Sequence, residues 1–455
     1  MRLETVTADG LAHKSYILSD HNEAMVVDPR RDCATYAELA ARECTEIKYI
    51  FETHCNEDFV VGSLDLQRRT EAEIGHSKET QFRYGEHNLA EGEMFRVGDL
   101  KVEVLSTPGH TNDSLCFVVY ERRDRRVPLI VFTGDTLFAG DVGRTDLLGN
   151  ESARAQSRKL YHSIFEKLLP LGDCPLVYPA HGAGSVCGNN MIARAYSTVG
   201  YERQLNPLLR LDEDGFVRCL TQQQLPVPPY FRRVQELNVQ GPPPMPWTLR
   251  EADPDEFEEL VEVRATTIID TRDPGAFAGS HIPGSLSIWL DGVSVYPGWV
   301  LDDDQPVALV TERPSDAAVA RTYLNQLGFD NVVAHLCSGM PDWRNRGKPI
   351  AQLKTCSVEQ LKKAVDRAAV NVLDVRDDHE WNEGHIKGAQ HLFVGYLQQQ
   401  VAHVPRDAPL AVLCSWGGRA SLAASILARH GYTNVYNVLG AIKAWRSRGY
   451  PLEGG

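Results

Sequence analysis

IIDTRDPGAFAGSHIPGSLSI, from Ile268, and VLDVRDDHEWNEGHIKGAQHL, from Val372, read as copies of one another. Asp270 and Asp374, like His281 and His385, stand 104 residues apart, and Gly328 of LGFDNVV precedes Gly431 of HGYTNVY by 103, so one small deletion relates the two segments. An internal repeat of this length decides the architecture before any finer reading is attempted. The second half of the chain must hold two copies of one α/β domain.

Ahead of the repeat, up to about Leu237, short β-rich runs (EAMVVDP, EIKYIFETH, LKVEVLSTPGH, SLCFVVY, PLIVFTGD) each close in a turn and are followed in places by helical periodicity. That is the pattern of a layered α/β domain with its polar motifs at strand ends. LPVPPYF and GPPPMPW then break all periodicity and mark a stiff linker. The expected organisation is an α/β multidomain chain with domains at residues 1–240, 250–350 and 354–455.

Composition narrows the partners. The chain is 43% hydrophobic and 24% charged, the balance of a protein with substantial cores. Its formal net charge is -14, and the absence of a Lys/Arg run argues against nucleic acid as a partner. No stretch reaches the roughly 18 apolar residues of a membrane span, and the first residues lack a signal peptide's apolar core. The ten cysteines form no CxxC pair. These features predict a cytoplasmic protein in a reducing compartment, with neither membrane nor nucleic-acid partner.

Five segments of the first domain end in residues able to bind a metal or an anion: His54 in THCNEDF, His110 in TPGHTNDS, Asp135 in FTGDTL, Arg144 in GRTDL and His181 in YPAHGAGS. In order and spacing they resemble the metallo-β-lactamase superfamily, which implies an αββα sandwich. A two-metal hydrolase of that superfamily carries imidazoles where this chain has Asn56 and Phe59. The ligands that still match are His54, His110 and Asp135, and two imidazoles with one carboxylate are the facial set associated with mononuclear non-haem Fe(II).

GDVGRTDL, LYHSIFEKLLPLGDCPLVYPAH and YERQLNP resemble the persulfide dioxygenases more than the hydrolases. This resemblance implies one Fe(II) per chain and oxidation of a thiol persulfide (glutathione, coenzyme A or similar) by dioxygen to sulfite. It also implies that Arg144 steadies the anionic substrate. Asn56, Asp58, His181 and Tyr178 are candidates for hydrogen-bonding a ligand or bound water, although Asn56 reads equally as drift. Cys187 reads either as a relay for persulfide sulfur or as a packed thiol.

In the last copy, AVLCSWGGRASLAASILARHGY places Cys414 after an apolar strand, in a loop that contains Gly417 and Gly418, closes at Arg419 and leads into a helix. Backbone N–H groups of such a loop suit a nucleophilic sulfur and the anionic groups that react with it. Cys-x-x-Gly-x-Arg resembles the rhodanese sulfurtransferases, which implies parallel-sheet domains, Cys414 as sulfur acceptor and Arg419 as its charge partner. At the equivalent places the middle copy has Thr311, Pro314 and Asp316, so it is expected to be non-catalytic. Cys337 reads as structural and lying away from that position, and Trp247, Trp343 and Trp445 as core anchors.

The whole chain resembles fusions of a persulfide dioxygenase with sulfurtransferase domains. That resemblance implies thiosulfate formation from sulfite and a Cys414 persulfide, and a non-catalytic copy between two active ones suggests a homo-oligomer. Two other readings stay open: a thioester hydrolase of the glyoxalase II type, and a metal-free persulfide carrier that uses Cys414 alone.

Overall fold

The computed structural model describes residues 1–121, 127–223 and 225–454. The chain falls into two compact units, Met1–Met245 with Asn325–Gly328, and Pro246–Leu324 with Phe329–Gly455. Both repeat copies lie in the second unit, apart from Asn325–Gly328 of the first copy.

The first unit is built on two six-stranded sheets. One runs in the order Arg2–Ala8, His13–Asp20, Glu23–Val27, Glu46–Phe51, Glu73–Ser77, His87–Leu89; the other runs Ser197–Thr198, Leu176–Pro179, Ile130–Gly134, Leu115–Glu121, Leu100–Ser106, Met94–Val97. Their strands divide their side chains between faces with the two-residue period of a pleated chain. Along Leu115–Glu121, Leu115, Phe117 and Val119 enter the core between the sheets, where Phe51, Val102 and Phe132 also lie. Cys116 and Val118 point the other way, into a core shared with Leu160 and Phe216 of the helices Asn150–His162 and Glu213–Thr221. On the first sheet, Met25 and Val27 face inward, while Ala24 and Val26 meet Tyr36 and Leu66 of the helices Ala34–Glu43 and Ser63–Thr70. The layers are therefore helix, sheet, sheet, helix. Strands buried on both faces explain the continuous apolar runs of the sequence.

In the second unit each copy forms a five-stranded parallel sheet of identical topology. The first has the order Glu251–Ala252, Val332–Leu336, Val307–Val310, Thr267–Asp270, Leu286–Ser287, and the second Lys354–Ser357, Val435–Leu439, Leu410–Leu413, Asn371–Asp374, Gln390–His391. The repeated Asp-x-Arg-Asp explains itself. Asp270 and Arg272, and likewise Asp374 and Arg376, form a buried ion pair at the strand end with oxygen and nitrogen 2.6 Å apart. The next aspartate, Asp273 or Asp377, caps the following helix by accepting a backbone N–H. The repeated histidines stack on a ring four residues earlier, His281 on Phe277 and His385 on Trp381.

Trp343 and Trp445 are buried and donate Nε1–H to Pro349 O and Pro451 O. Trp247 corrects its expectation: it is 46% exposed, in a proline-rich segment without regular structure. Among the described residues no helix is long and apolar enough to cross a membrane.

Candidate functional site

In the first unit, Thr53 and His54 follow the strand Glu46–Phe51, His110 follows Leu100–Ser106, Asp135 follows Ile130–Gly134, and His181 follows Leu176–Pro179. Sheet pairing thereby delivers four distant segments to one buried pocket. His110 Nδ1 donates to Arg144 O at 2.9 Å, which leaves Nε2 to face the pocket. His54 Nδ1 lies 2.9 Å from Thr53 Oγ1, and that hydroxyl donates to Asp28 Oδ2 at 2.8 Å. A buried carboxylate thus orients the imidazole through one hydroxyl, the outer support usual for a metal-binding histidine.

The inward atoms converge. His110 Nε2 is 3.5 Å from Asp135 Oδ2 and 3.4 Å from Glu57 Oε1; His54 Nε2 is 3.7 Å from Glu57 Oε2. His181 Nε2 is 2.8 Å from Asp58 Oδ2, while its Nδ1 donates to both oxygens of Asp135 at 2.8 and 3.0 Å. His54 Nε2, His110 Nε2 and Glu57 Oε2 are buried without a hydrogen-bond partner. Orphaned imidazoles and carboxylates aimed at one another are the arrangement a metal cation satisfies, so these residues fit one. Among the described residues, three groups have ligand atoms all within 4.8 Å: His54, Glu57 and His110; Asp58, His181 and Cys187; Glu57, Asp135 and Cys187. Burial disfavours charge on His54, but Glu57, Asp135 and Asp28 outweigh it and carry the imidazole up to about 9. Burial likewise opposes ionised Glu57, and His110 and His54 hold it well below the usual carboxylate range.

Two expectations are corrected. The donors of Arg144 are engaged within the fold: Nε and Nη2 donate to Asp146 at 2.7 and 2.8 Å, and the other N–H groups go to the carbonyls of Val186, Leu225 and Pro226. All five donors are spent on clasping loops. Arg144→Ala is accordingly expected to destabilise the first unit by about 1–3 kcal/mol, the cost of leaving part-buried acceptors without their donor, read from a denaturant midpoint. Tyr178 is the second correction. Its ring packs with Tyr16 and Phe132 in the core between the sheets, because alternation along Leu176–Pro179 turns it there.

Asn56 Nδ2 donates to His54 O at 3.3 Å. Cys187 is fully buried and its Sγ lies 3.4 Å from Glu57 Oε1, inside the pocket. Sequence reasoning missed Glu57, and also His13, whose two ring nitrogens are buried without partners beside Phe59 and His181. GDVGRTDL and YERQLNP turn out to clamp each other: Glu202 accepts from Gly140 N–H at 2.8 Å, and Asn206 donates to Asp141 O at 3.2 Å. Gly143 has no room for a side chain, since a Cβ would lie 1.9 Å from Asp135 O.

In the last copy Cys414 ends the strand Leu410–Leu413, and the helix Gly418–Arg429 follows. The sulfur is buried and accepts Gly417 N–H at 3.1 Å. Gly417 has φ +126°, a conformation that L side chains rarely adopt, and a Cβ on Gly418 would strike Trp416 at 2.5 Å and Trp289 at 2.8 Å. A cavity of about 480 Å³ opens here, lined by Ser415, Trp416, Arg419, Glu380, Lys443 and, from the middle copy, Trp289 and Tyr296.

Arg419 is held by Glu380 through two bonds, at 2.6 and 2.9 Å. Burial pushes the Glu380 carboxyl up, but Arg419 overrides it and brings it down to about 2. A carboxylate lowered on folding stabilises above its unfolded value and stops doing so as it protonates. The stability advantage of the native protein over Glu380→Gln is therefore expected to be complete above pH 4.5 and to vanish as pH falls through about 2, followed by acid denaturation.

In the middle copy Thr311 Oγ1 donates to Arg313 O at 2.8 Å, and Thr311 lines a cavity of about 490 Å³ with Arg272, Arg344 and Cys337. Cys337 thus shares the cavity of the position that matches Cys414, rather than lying apart from it.

A family model for the metallo-beta-lactamase superfamily matches residues 8–181, and one for the rhodanese-like domain matches residues 253–346 and 357–448. Human mitochondrial persulfide dioxygenase ETHE1 is 31% identical over 222 residues, covering 47% of this chain and 78% of its own. Hydroxyacylglutathione hydrolase GloC of Haemophilus influenzae is 28% identical over 216 residues, 43% of this chain and 91% of its own. The crystal structure of a metallo-beta-lactamase from Staphylococcus aureus subsp. aureus COL aligns with a TM-score of 0.66 and 28% identity, covering 74% of this chain and 98% of that one.

Proposed function

Because this chain belongs to the persulfide dioxygenase ETHE1 family, on a metallo-beta-lactamase fold followed by two rhodanese-like domains, we propose that it oxidises a low-molecular-weight thiol persulfide to sulfite and passes sulfur through Cys414 to give thiosulfate. The observation that carries the first step is the set of orphaned imidazole and carboxylate atoms meeting in a buried pocket. His54, His110 and Asp135 would hold one Fe(II), which supplies the redox chemistry that dioxygen needs. The outer sulfur of the persulfide gains two oxygens from dioxygen and one from water, and its bond to the inner sulfur breaks to leave thiol and sulfite. Thr53 and the Arg144 carbonyl keep the imidazoles turned inward throughout.

In the second step Cys414 attacks the outer sulfur of another persulfide and releases its thiol. Sulfite then takes that sulfur, leaving thiosulfate and free Cys414. Gly417 N–H supports the anionic sulfur, and Arg419, fixed by Glu380, sets the charge of the loop. On this reading domains 1–240 and 354–455 are catalytic, domain 250–350 is not, and the protein works in the cytoplasm.

The test is oxygen uptake by anaerobically iron-loaded protein given glutathione or coenzyme A persulfide, with metal counted on the same sample. Uptake with one iron per chain is expected. Two metals per chain and hydrolysis of a glutathione thioester would replace this reading by a hydrolase of the GloC kind; no metal and no uptake would leave only a Cys414 carrier.

A further inference from the structure

We propose that Glu57 is a further ligand of the metal centre, a buried carboxylate beside position 56, where this chain has an asparagine. The inference rests on the reading of the pocket as a metal centre and is independent of the reaction performed there. Asn56 is a neutral amide whose NH₂ is turned to His54 O. The next residue brings a carboxylate, fully buried, into the pocket. Its Oε1 is 3.4 Å from His110 Nε2 and its Oε2 3.7 Å from His54 Nε2.

Both imidazoles have their other nitrogen engaged: His110 Nδ1 with the Arg144 carbonyl, and His54 Nδ1 with Thr53 Oγ1. A neutral ring protonated at Nδ1 presents a lone pair at Nε2. With a metal bound, both lone pairs and the Glu57 carboxylate would face the same cation. The ligand atoms of His54, Glu57 and His110 all lie within 4.8 Å of one another, close enough to meet at one cation. Asp135 is placed differently, with both oxygens accepting His181 Nδ1. Glu57 Oε2 has no hydrogen-bond partner.

Glu57→Gln preserves size and removes the charge. In the 455-residue chain its affinity for Fe(II) and for Co(II), measured by chelator competition, is expected to fall by more than about 100-fold, beyond the loss usual for a residue that only supports a ligand. The visible spectrum of the Co(II) form should change with it. Adding Asn56→His to Glu57→Gln should restore tight binding, which a merely structural role for Glu57 would not produce. Native affinity and an unchanged Co(II) spectrum in Glu57→Gln would overturn the proposal. Should that variant not fold, Glu57→Asp, which keeps the charge but withdraws it, gives the same decision from its spectrum. A protein whose metal depends on Glu57 but which takes up no oxygen removes the dioxygenase reading and leaves this one standing.

Discussion

Cys414→Ser is expected to abolish sulfur transfer and thiosulfate formation, by at least about a thousandfold, while metal content and oxygen uptake stay at native levels. The hydroxyl fits the loop and still accepts Gly417 N–H, so the fold is not disturbed. What it lacks is chemistry: an oxygen cannot form and release a sulfur–sulfur bond at neutral pH as a thiolate can. The assay follows thiosulfate and sulfite separately after a persulfide pulse. Sulfite should accumulate in the variant in the amount that the native protein converts. Unchanged thiosulfate would end the assignment of Cys414 as the sulfur carrier.

His110→Ala should produce the complementary phenotype. The imidazole is fully buried and its Nε2 approaches both Glu57 and Asp135. Its removal opens the coordination set and strands two carboxylates that no longer share a counter-charge. Iron content is expected to fall to background and oxygen uptake with it. Sulfur transfer from an added persulfide to added sulfite should persist, because the thiol site lies in the other compact unit. Retained iron would mean that the cation sits nearer Asp58 and His181.

Much of this was legible in the sequence. The repeat offset announced twin sheets of one topology, and His54, His110, Asp135 and His181 were visible because each ends a strand in a recognisable order. Other residues were hidden for physical reasons. Glu57 stands in an irregular loop where no periodicity says which way a side chain points. His13 opens an ordinary strand, and only the bridge between His13 and His181 brings it to the pocket. Arg144 was misread because a guanidinium near an anion site in sequence looks the same whether it is free or already spent on Asp146 and three carbonyls. Tyr178 was misread because its strand parity decides its face, and the register was not readable from the motif alone.

The strand Leu115–Glu121, clad on both faces, carries a consequence for how the metal would be lost. His110 and Asp135 hang from the ends of strands that pair with it. Amide exchange along such a strand requires both apolar cores to be breached together, so its protons should be among the slowest to exchange in the chain. Escape of a bound ion by fraying of these strands would thereby be disfavoured. Metal release on heating should coincide with the cooperative collapse of the whole first unit, and the ion should act as a lock on that unit's lifetime as well as on its chemistry.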